Sequence, residues 1–295
     1  MASPMFDQAA GLRRMMQFRG LHIAALISGP PTPMLTAAKL GIAQALAGSG
    51  KEVLLLEEIS LQPRQETSAT PKANNGILLS PPTTIGLGVR HLSIINPRLI
   101  RKINPFQRIN FINSLKKSES EIDTILVAVA QTPREALPSS LNFASNIGVL
   151  VSPEAESITS AYALIKKISQ EQQKQHFSII LTGTANLGLA SNIFSCLSKV
   201  AQQNGIASLR FAGLLPKMDS KPNDFLNIRA PLTATTLSSM EFKQSAKKIA
   251  EHISDHLECC STLKTLSDLA EQLISPSISS SHHAYTDVHA YGPAR

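Results

Sequence analysis

The feature that most constrains this chain is a series of short apolar runs, separated by segments with helical periodicity. Ile122–Ala130 (IDTILVAVA) is apolar at successive positions, so a strand there must be covered on both faces. Leu21–Ile27 (LHIAALI), Lys51–Glu57 (KEVLLLE), Val89–Ile95, Ile147–Val151, Phe177–Leu181 and Ser208–Leu215 also read as strands. Helical patterns fall at Thr36–Ala47, Phe106–Lys117, Glu154–Ile168, Ser191–Asn204, Ser239–Leu257 and Thr262–Ile274. Buried strands alternating with helices predict an α/β fold, a mostly parallel sheet with helices on both faces. Gly48-Ser49-Gly50 is a stop signal for the first of these helices. Ser152 is expected to cap the helix Glu154–Ile168, with Pro153 in its first turn.

Three parts follow from this pattern. Residues 1–20 form an N-terminal arm, in which Asp7–Phe18 (DQAAGLRRMMQF) reads as a short amphipathic helix with Ala9, Leu12 and Met16 on one face. Residues 21–274 form the α/β domain, with Ser60–Leu87 as a long surface excursion rich in Pro, Ser, Thr and Asn. Residues 275–295 are polar and non-periodic and are expected to be disordered. No apolar run approaches the ~18 residues of a membrane span. No signal peptide is read at the N-terminus. The three cysteines, Cys196, Cys259 and Cys260, show no metal-ligand spacing, which fits a reducing cytosol. The expected location is therefore cytoplasmic.

The formal net charge is +7. Between Val89 and Lys117 stand Arg90, Arg98, Arg101, Lys102, Arg108, Lys116 and Lys117, with no Asp or Glu. Such a stretch suits nucleic acid, anionic lipid or an acidic protein face, or is simply a solvated basic surface. No aromatic-rich sheet signature or zinc finger accompanies it, so no specific nucleic-acid reading is expected.

Ser28–Thr36 (SGPPTPMLT) lies between the first strand and the first helix, where nucleotide-binding proteins keep a phosphate loop. It holds three prolines and no lysine. Proline has no N–H and fixes φ near −65°, whereas a phosphate loop aims backbone N–H groups at oxygens from glycine conformations.

Several segments together resemble the MinD-like flagellar number regulators, the FlhG/FleN family. Asp7–Arg13 (DQAAGLR) matches their opening DQAxxLR signature. Ser157–Lys166 (SITSAYALIK) is close to their SITDAYALIK helix, and Gly50–Leu56 (GKEVLLL) resembles their GKRVLLL strand. Gly213–Pro216 (GLLP) followed by Asp219 resembles their G-x-[IV]-P-x-D turn. The resemblance runs over Asp7–Leu257, except for Ser60–Leu87, and implies a P-loop NTPase-like fold of the MinD/ParA type.

The family's phosphate loop is SGKGGVGKT. Laid on it, Ser28, Gly29 and Thr36 match. Pro30 replaces the signature lysine, Leu35 the phosphate-binding lysine, and Pro31, Thr32 and Met34 three glycines. Lys39 lies one turn further down the helix and is not expected to substitute. Glu57 keeps a carboxylate at the first acidic position after the second strand, and Ile59 takes the water-orienting one. Ala128 stands at the magnesium-linked aspartate, and Thr182 at the adenine-contacting asparagine. The resemblance thus implies a degenerate nucleotide site at Ser28, Gly29, Pro30, Leu35, Thr36, Glu57 and Ala128. No cofactor, no metal and no catalytic residue of the chain's own are expected, and the chain is expected to be a monomer.

The arm matches its signature more closely. In the family it docks on an SRP-type GTPase (FlhF), whose GTP hydrolysis its glutamine assists. By resemblance, Gln8 would orient the attacking water, with Asp7 capping the helix or orienting Gln8. Ala9 belongs to the same motif, Leu12 would anchor the helix, and Arg13 would pair with an acidic face. The bland alternative is that Asp7 is an N-cap and the rest a packing helix. The chain is therefore expected to regulate flagellar number, placement and biosynthesis through an FlhF-like GTPase, with a flagellar transcription activator as a second partner. It would reach the cell pole or the inner membrane through such partners. Two alternatives stay open. One is an active MinD-type ATPase that binds Mg and ATP, dimerises and cycles on the membrane. The other is a basic, partition-type, DNA-associated protein.

The remaining candidates read as structural. His22 is expected to be partly buried, Cys196 to lie in the core, and Met15 and Met16 to pack. His282 and His283 make a weak metal tract. Leu263, Leu266, Ala270, Leu273 and Ile274 form one face of a last helix. Its polar face is acidic as well as basic, so core packing is at least as good a reading as membrane attachment.

Overall fold

The computed structural model describes residues 21–30, 33–59, 82–86, 88–95, 105–118, 122–206, 208–217, 240–258 and 266–274. The N-terminal arm, the tail and most of the long excursion lie outside them, as do Pro31, Thr32, Cys259 and Cys260. The described strands are β1 (His22–Ser28), β2 (Val53–Ile59), β3 (Thr83–Gly86), β4 (Val89–Ile95), β5 (Thr124–Ala130), β6 (Asn146–Val151), β7 (Phe177–Thr182) and β8 (Leu209–Leu215). The helices are α1 (Pro33–Gly48), α2 (Pro105–Ser118), α3 (Ala155–Gln172), α4 (Leu187–Gln203), α5 (Met240–Asp255) and α6 (Leu266–Ile274).

The strands form one sheet in the order β3-β4-β2-β5-β1-β6-β7-β8. Every neighbouring pair is parallel except β3–β4. Successive residues of β1 feed opposite cores: Ile23, Ala25 and Ile27 pack on one side, Ala24 and Leu26 on the other. The first side is covered by apolar residues of α2, α3, α4 and α6, the second by α1 and α5. This division follows from chain direction. Going from β1 to β2 and going from β6 to β7 move opposite ways across the sheet, and right-handed crossovers then put their helices on opposite faces.

α1 is buried over most of its circumference, at Leu35, Ala37, Ala38, Lys39, Leu40, Ile42, Ala43 and Leu46. It packs on the sheet beside α5, which also lies against β8 and presents Phe242, Ala246, Ile249, Ala250 and Ile253 at helical spacing. Gly41 permits that approach: a Cβ there would sit 2.6 Å from Phe242 Cε1.

Two expectations need correction. Ser152 does not cap α3; the N-cap is Glu154, with no side-chain cap bond, and Ser152 and Pro153 precede the helix. Ser152 Oγ instead donates to Glu154 Oε2 at 2.8 Å. Cys196 is exposed, because α4 buries Ala190, Ile193, Leu197 and Ala201, and position 196 falls off that stripe. Near the end of the excursion, Thr83–Gly86 adds an antiparallel strand at the sheet edge.

Candidate functional site

The sheet order reverses at β1, where the chain leaves toward α1 on one face and the later crossovers run on the other, the switch point at which open α/β sheets place their ligands. The register carries the candidate positions there. Ser28 pairs with Ala130, Leu26 with Ala128, and Ala128 with Glu57 across β1, β5 and β2. Leu35 and Thr36 come down from the first turn of α1. All seven positions assigned to the loop and its acids are therefore at one end of the sheet. The arm positions Asp7, Gln8, Ala9, Leu12 and Arg13 lie outside the described residues.

Two bonds are made by Ser28 at the end of β1. Ser28 Oγ donates to Gly29 O at 2.9 Å, and Ser28 O accepts from Gln131 N at 3.1 Å. Gly29 lies against α3: a Cβ there would be 3.1 Å from Ser160 Oγ, a buried hydroxyl with no hydrogen-bond partner. Pro30 contributes no donor. The SITSAYALIK helix thus backs the turn through its fourth residue.

Leu35 is buried, in one apolar cluster with Leu26, Ala128, Leu150 and Leu215. Met34 and Ala130 pack against that cluster. Hydrocarbon therefore surrounds both Leu35 and Ala128, the two positions that the resemblance aligns with a phosphate-binding lysine and a magnesium-linked aspartate. Thr36 is half-buried. Thr182 is buried and donates to Val151 O at 3.4 Å, so its hydroxyl is engaged with the backbone. Ile59 is the last residue of β2.

Glu57 is the one ionisable residue among the seven positions, and it is paired twice. Lys39 Nζ donates to Glu57 Oε1, and His91 Nε2 lies 3.1 Å from Glu57 Oε2. Ser93 Oγ is 3.3 Å from the same His91 nitrogen. The Lys39 side chain is only 8% exposed, against 29% for Glu57. Burial alone would raise the Glu57 pKa. The bonds from His91 and Lys39, with the lysine's charge, outweigh it and bring the carboxyl from its ordinary 4.5 down to about 2. Lys39 thus meets the chain's own carboxylate. Sequence reading named both residues without joining them, and it missed His91.

Other readings stand as follows. His22 is partly buried at the opposite end of β1, with Nδ1 buried and unpartnered. Leu266 and Leu269 of α6 pack into the core beside Leu115 of α2, which favours the packing reading of that helix. Among the described residues no helix is long and apolar enough to cross a membrane, and no group of three or more His, Cys, Asp or Glu could hold a metal.

No protein-family model matches the chain. Its sequence is 23% identical over 261 residues to the antiactivator FleN of Pseudomonas aeruginosa, covering 81% of this chain and 89% of that one. Among solved structures, a ParA family ATPase from Chlorobium tepidum has a TM-score of 0.51 at 15% identity, covering 80% of this chain and 99% of that one. A putative plasmid partition protein from Borrelia burgdorferi bound to AMPPNP gives 0.51 at 10% identity, again covering 80% and 99%. The MinC:MinD cell division complex of Aquifex aeolicus gives 0.50 at 17% identity, covering 79% and 95%. The chain has the MinD/ParA fold, and four-fifths of its sequence aligns with the antiactivator FleN.

Proposed function

We propose that this protein is a flagellar regulator that uses the MinD/ParA fold as a scaffold for protein contacts, without an ATP cycle. The similarity to FleN supports the regulatory part, and with it a flagellar transcription activator as a partner. The observation that carries the second part is the joint burial of Leu35 and Ala128 in one apolar cluster at the carboxyl end of the sheet. A triphosphate needs donors and positive charge at that place. Here the nearby cation, Lys39, is held by Glu57. The protein works in the cytoplasm and reaches the pole through its partners.

The arm then becomes the active part, with an FlhF-like SRP-type GTPase as its target. Gln8 orients the water that attacks GTP, Leu12 anchors the helix and Arg13 meets an acidic surface. Replacing Gln8 by Ala is expected to lower stimulation of the partner GTPase by roughly a hundredfold, the scale of a lost positioning group. Thermal unfolding of the chain should not change, since the substitution is outside the α/β domain. Stimulation that survives Gln8→Ala would remove the arm from this account.

A further inference from the structure

Between the outer sides of α1 and α5 runs a groove of about 620 Å³. Small side chains keep it open, Ala45 on α1 and Ala246 and Ala250 on α5. One wall is a row of exposed residues at helical spacing, Lys243, Lys247, Glu251 and Asp255. The row is sorted by sign, basic toward the carboxyl end of the sheet and acidic toward the amino end. Among the described residues none of the four is in a salt bridge. Such a groove suits a segment with an apolar stripe and the opposite order of charge.

The acidic end lies where the N-terminal arm joins the domain. His22 N donates to Asp123 O at 3.0 Å, and Asp123 N donates to Glu52 O at 3.1 Å. The next residue back, Lys51, donates through Nζ to Ser254 Oγ at that end of the groove. From β1 across β5 to β2 is two strand spacings, roughly 10 Å. Arg19–Leu21 can span about that distance. The arm carries Asp7 first and then Arg13, Arg14 and Arg19, with Ala9, Leu12 and Met16 as its apolar side. As a helix, Asp7–Phe18 is roughly 18 Å long, which is also the reach from Lys243 to Asp255 on α5. Residues 275–295 follow α6, which packs on the opposite side of the sheet. Residues 218–239 leave the carboxyl end of β8 with acids and bases interleaved, at Asp219, Lys221, Asp224 and Arg229.

We infer that the α1–α5 groove receives the chain's own N-terminal arm, lying parallel to α5. Asp7 then meets Lys243 and Lys247, and the three arginines meet Glu251 and Asp255. Leu12 falls level with Ala246 and Ala250, where small side chains leave room for it. With the arm docked, Leu12 and Arg13 are engaged within the chain, and a GTPase partner reaches them only by displacing the arm. That consequence rests on the function proposed above, whereas the docking does not.

The test uses the full chain. It has no tryptophan, so Met16→Trp places a single reporter on the apolar side of the arm. Its emission should lie to the blue and be shielded from acrylamide. Glu251→Lys with Asp255→Lys should shift the emission to the red and open the reporter to quenching, and high salt should act in the same direction. Adding Arg13→Glu and Arg14→Glu to the reversed protein should restore the shielding. The reversed chain, with its native arm, should reach half-maximal stimulation of an FlhF-like GTPase at a roughly threefold lower concentration than the parent, the scale of lost surface ion pairs. A reporter as open as free tryptophan, or shielding that ignores the charge reversal, would overturn the docking. Shielding that appears only as chain concentration rises would assign the groove to a second copy and overturn it too. Equal stimulation by parent and reversed chains would overturn the masking. Charge-dependent shielding with no stimulation by either chain would support the docking and contradict the GTPase target.

Discussion

Replacing Glu57 by Ala should destabilise the protein by about 3 kcal/mol, because it strands the more deeply buried charge of the pair, Lys39. Lys39→Met should cost less, ~1–2 kcal/mol, since Glu57 is partly exposed and keeps His91. The double variant Lys39→Met/Glu57→Leu should return close to the parent, because two apolar side chains replace a desolvated pair. Urea unfolding of the four proteins measures these differences. The same pair gives a sign for acid. Glu57 is held near 2 in the folded chain against an ordinary 4.5, so its stabilisation is complete above about pH 4.5 and is lost as pH falls through about 2. That limb is worth on the order of 3 kcal/mol and should be missing from Glu57→Ala. Equal stability of all four proteins, with identical acid limbs, would show that the pair does not act as described.

Putting the lysine back should not put the site back. Leu35→Lys places an ammonium among Leu26, Ala128 and Leu150, one helical turn from Lys39, which with His91 already engages Glu57, the carboxylate beside Ala128. The expected loss is about 3 kcal/mol or more, from the discarded packing and the unpaired charge together. No gain of ATP binding should accompany it, because Ala128 and Pro30 still supply neither acid nor donor. A Leu35→Lys protein that kept its stability and bound MgATP would mean that one side chain separates this chain from its nucleotide-binding neighbours. The difference between closure and a single missing residue is thus measurable.

Much of this was legible before the fold. The central strands are apolar on both faces, so their bounds in the sequence agree with the structure to within one or two residues. β3 was not legible because it is four residues long, exposed and at an edge, where no burial periodicity forms. The exposure of Cys196 was hidden by its neighbour Leu197, which is buried one helical step away. The clustering of the seven loop and acid positions came from a family resemblance, and the sheet register supplies its geometry. The Lys39–Glu57–His91 group had no local signal. Its members are separated by 18 and 34 residues and meet only because β2 and β4 are neighbours beneath α1. Spacing along a chain cannot report a contact made by sheet order.

The most direct test of the central claim is calorimetric titration of the purified full chain with MgATP. The account predicts no binding heat up to about 1 mM, an affinity too weak for a switch at cellular ATP levels. Saturable binding with a micromolar dissociation constant would contradict it. Groups other than those at the β1–α1 turn would then have to supply the charge, and the chain would be read as a switching ATPase.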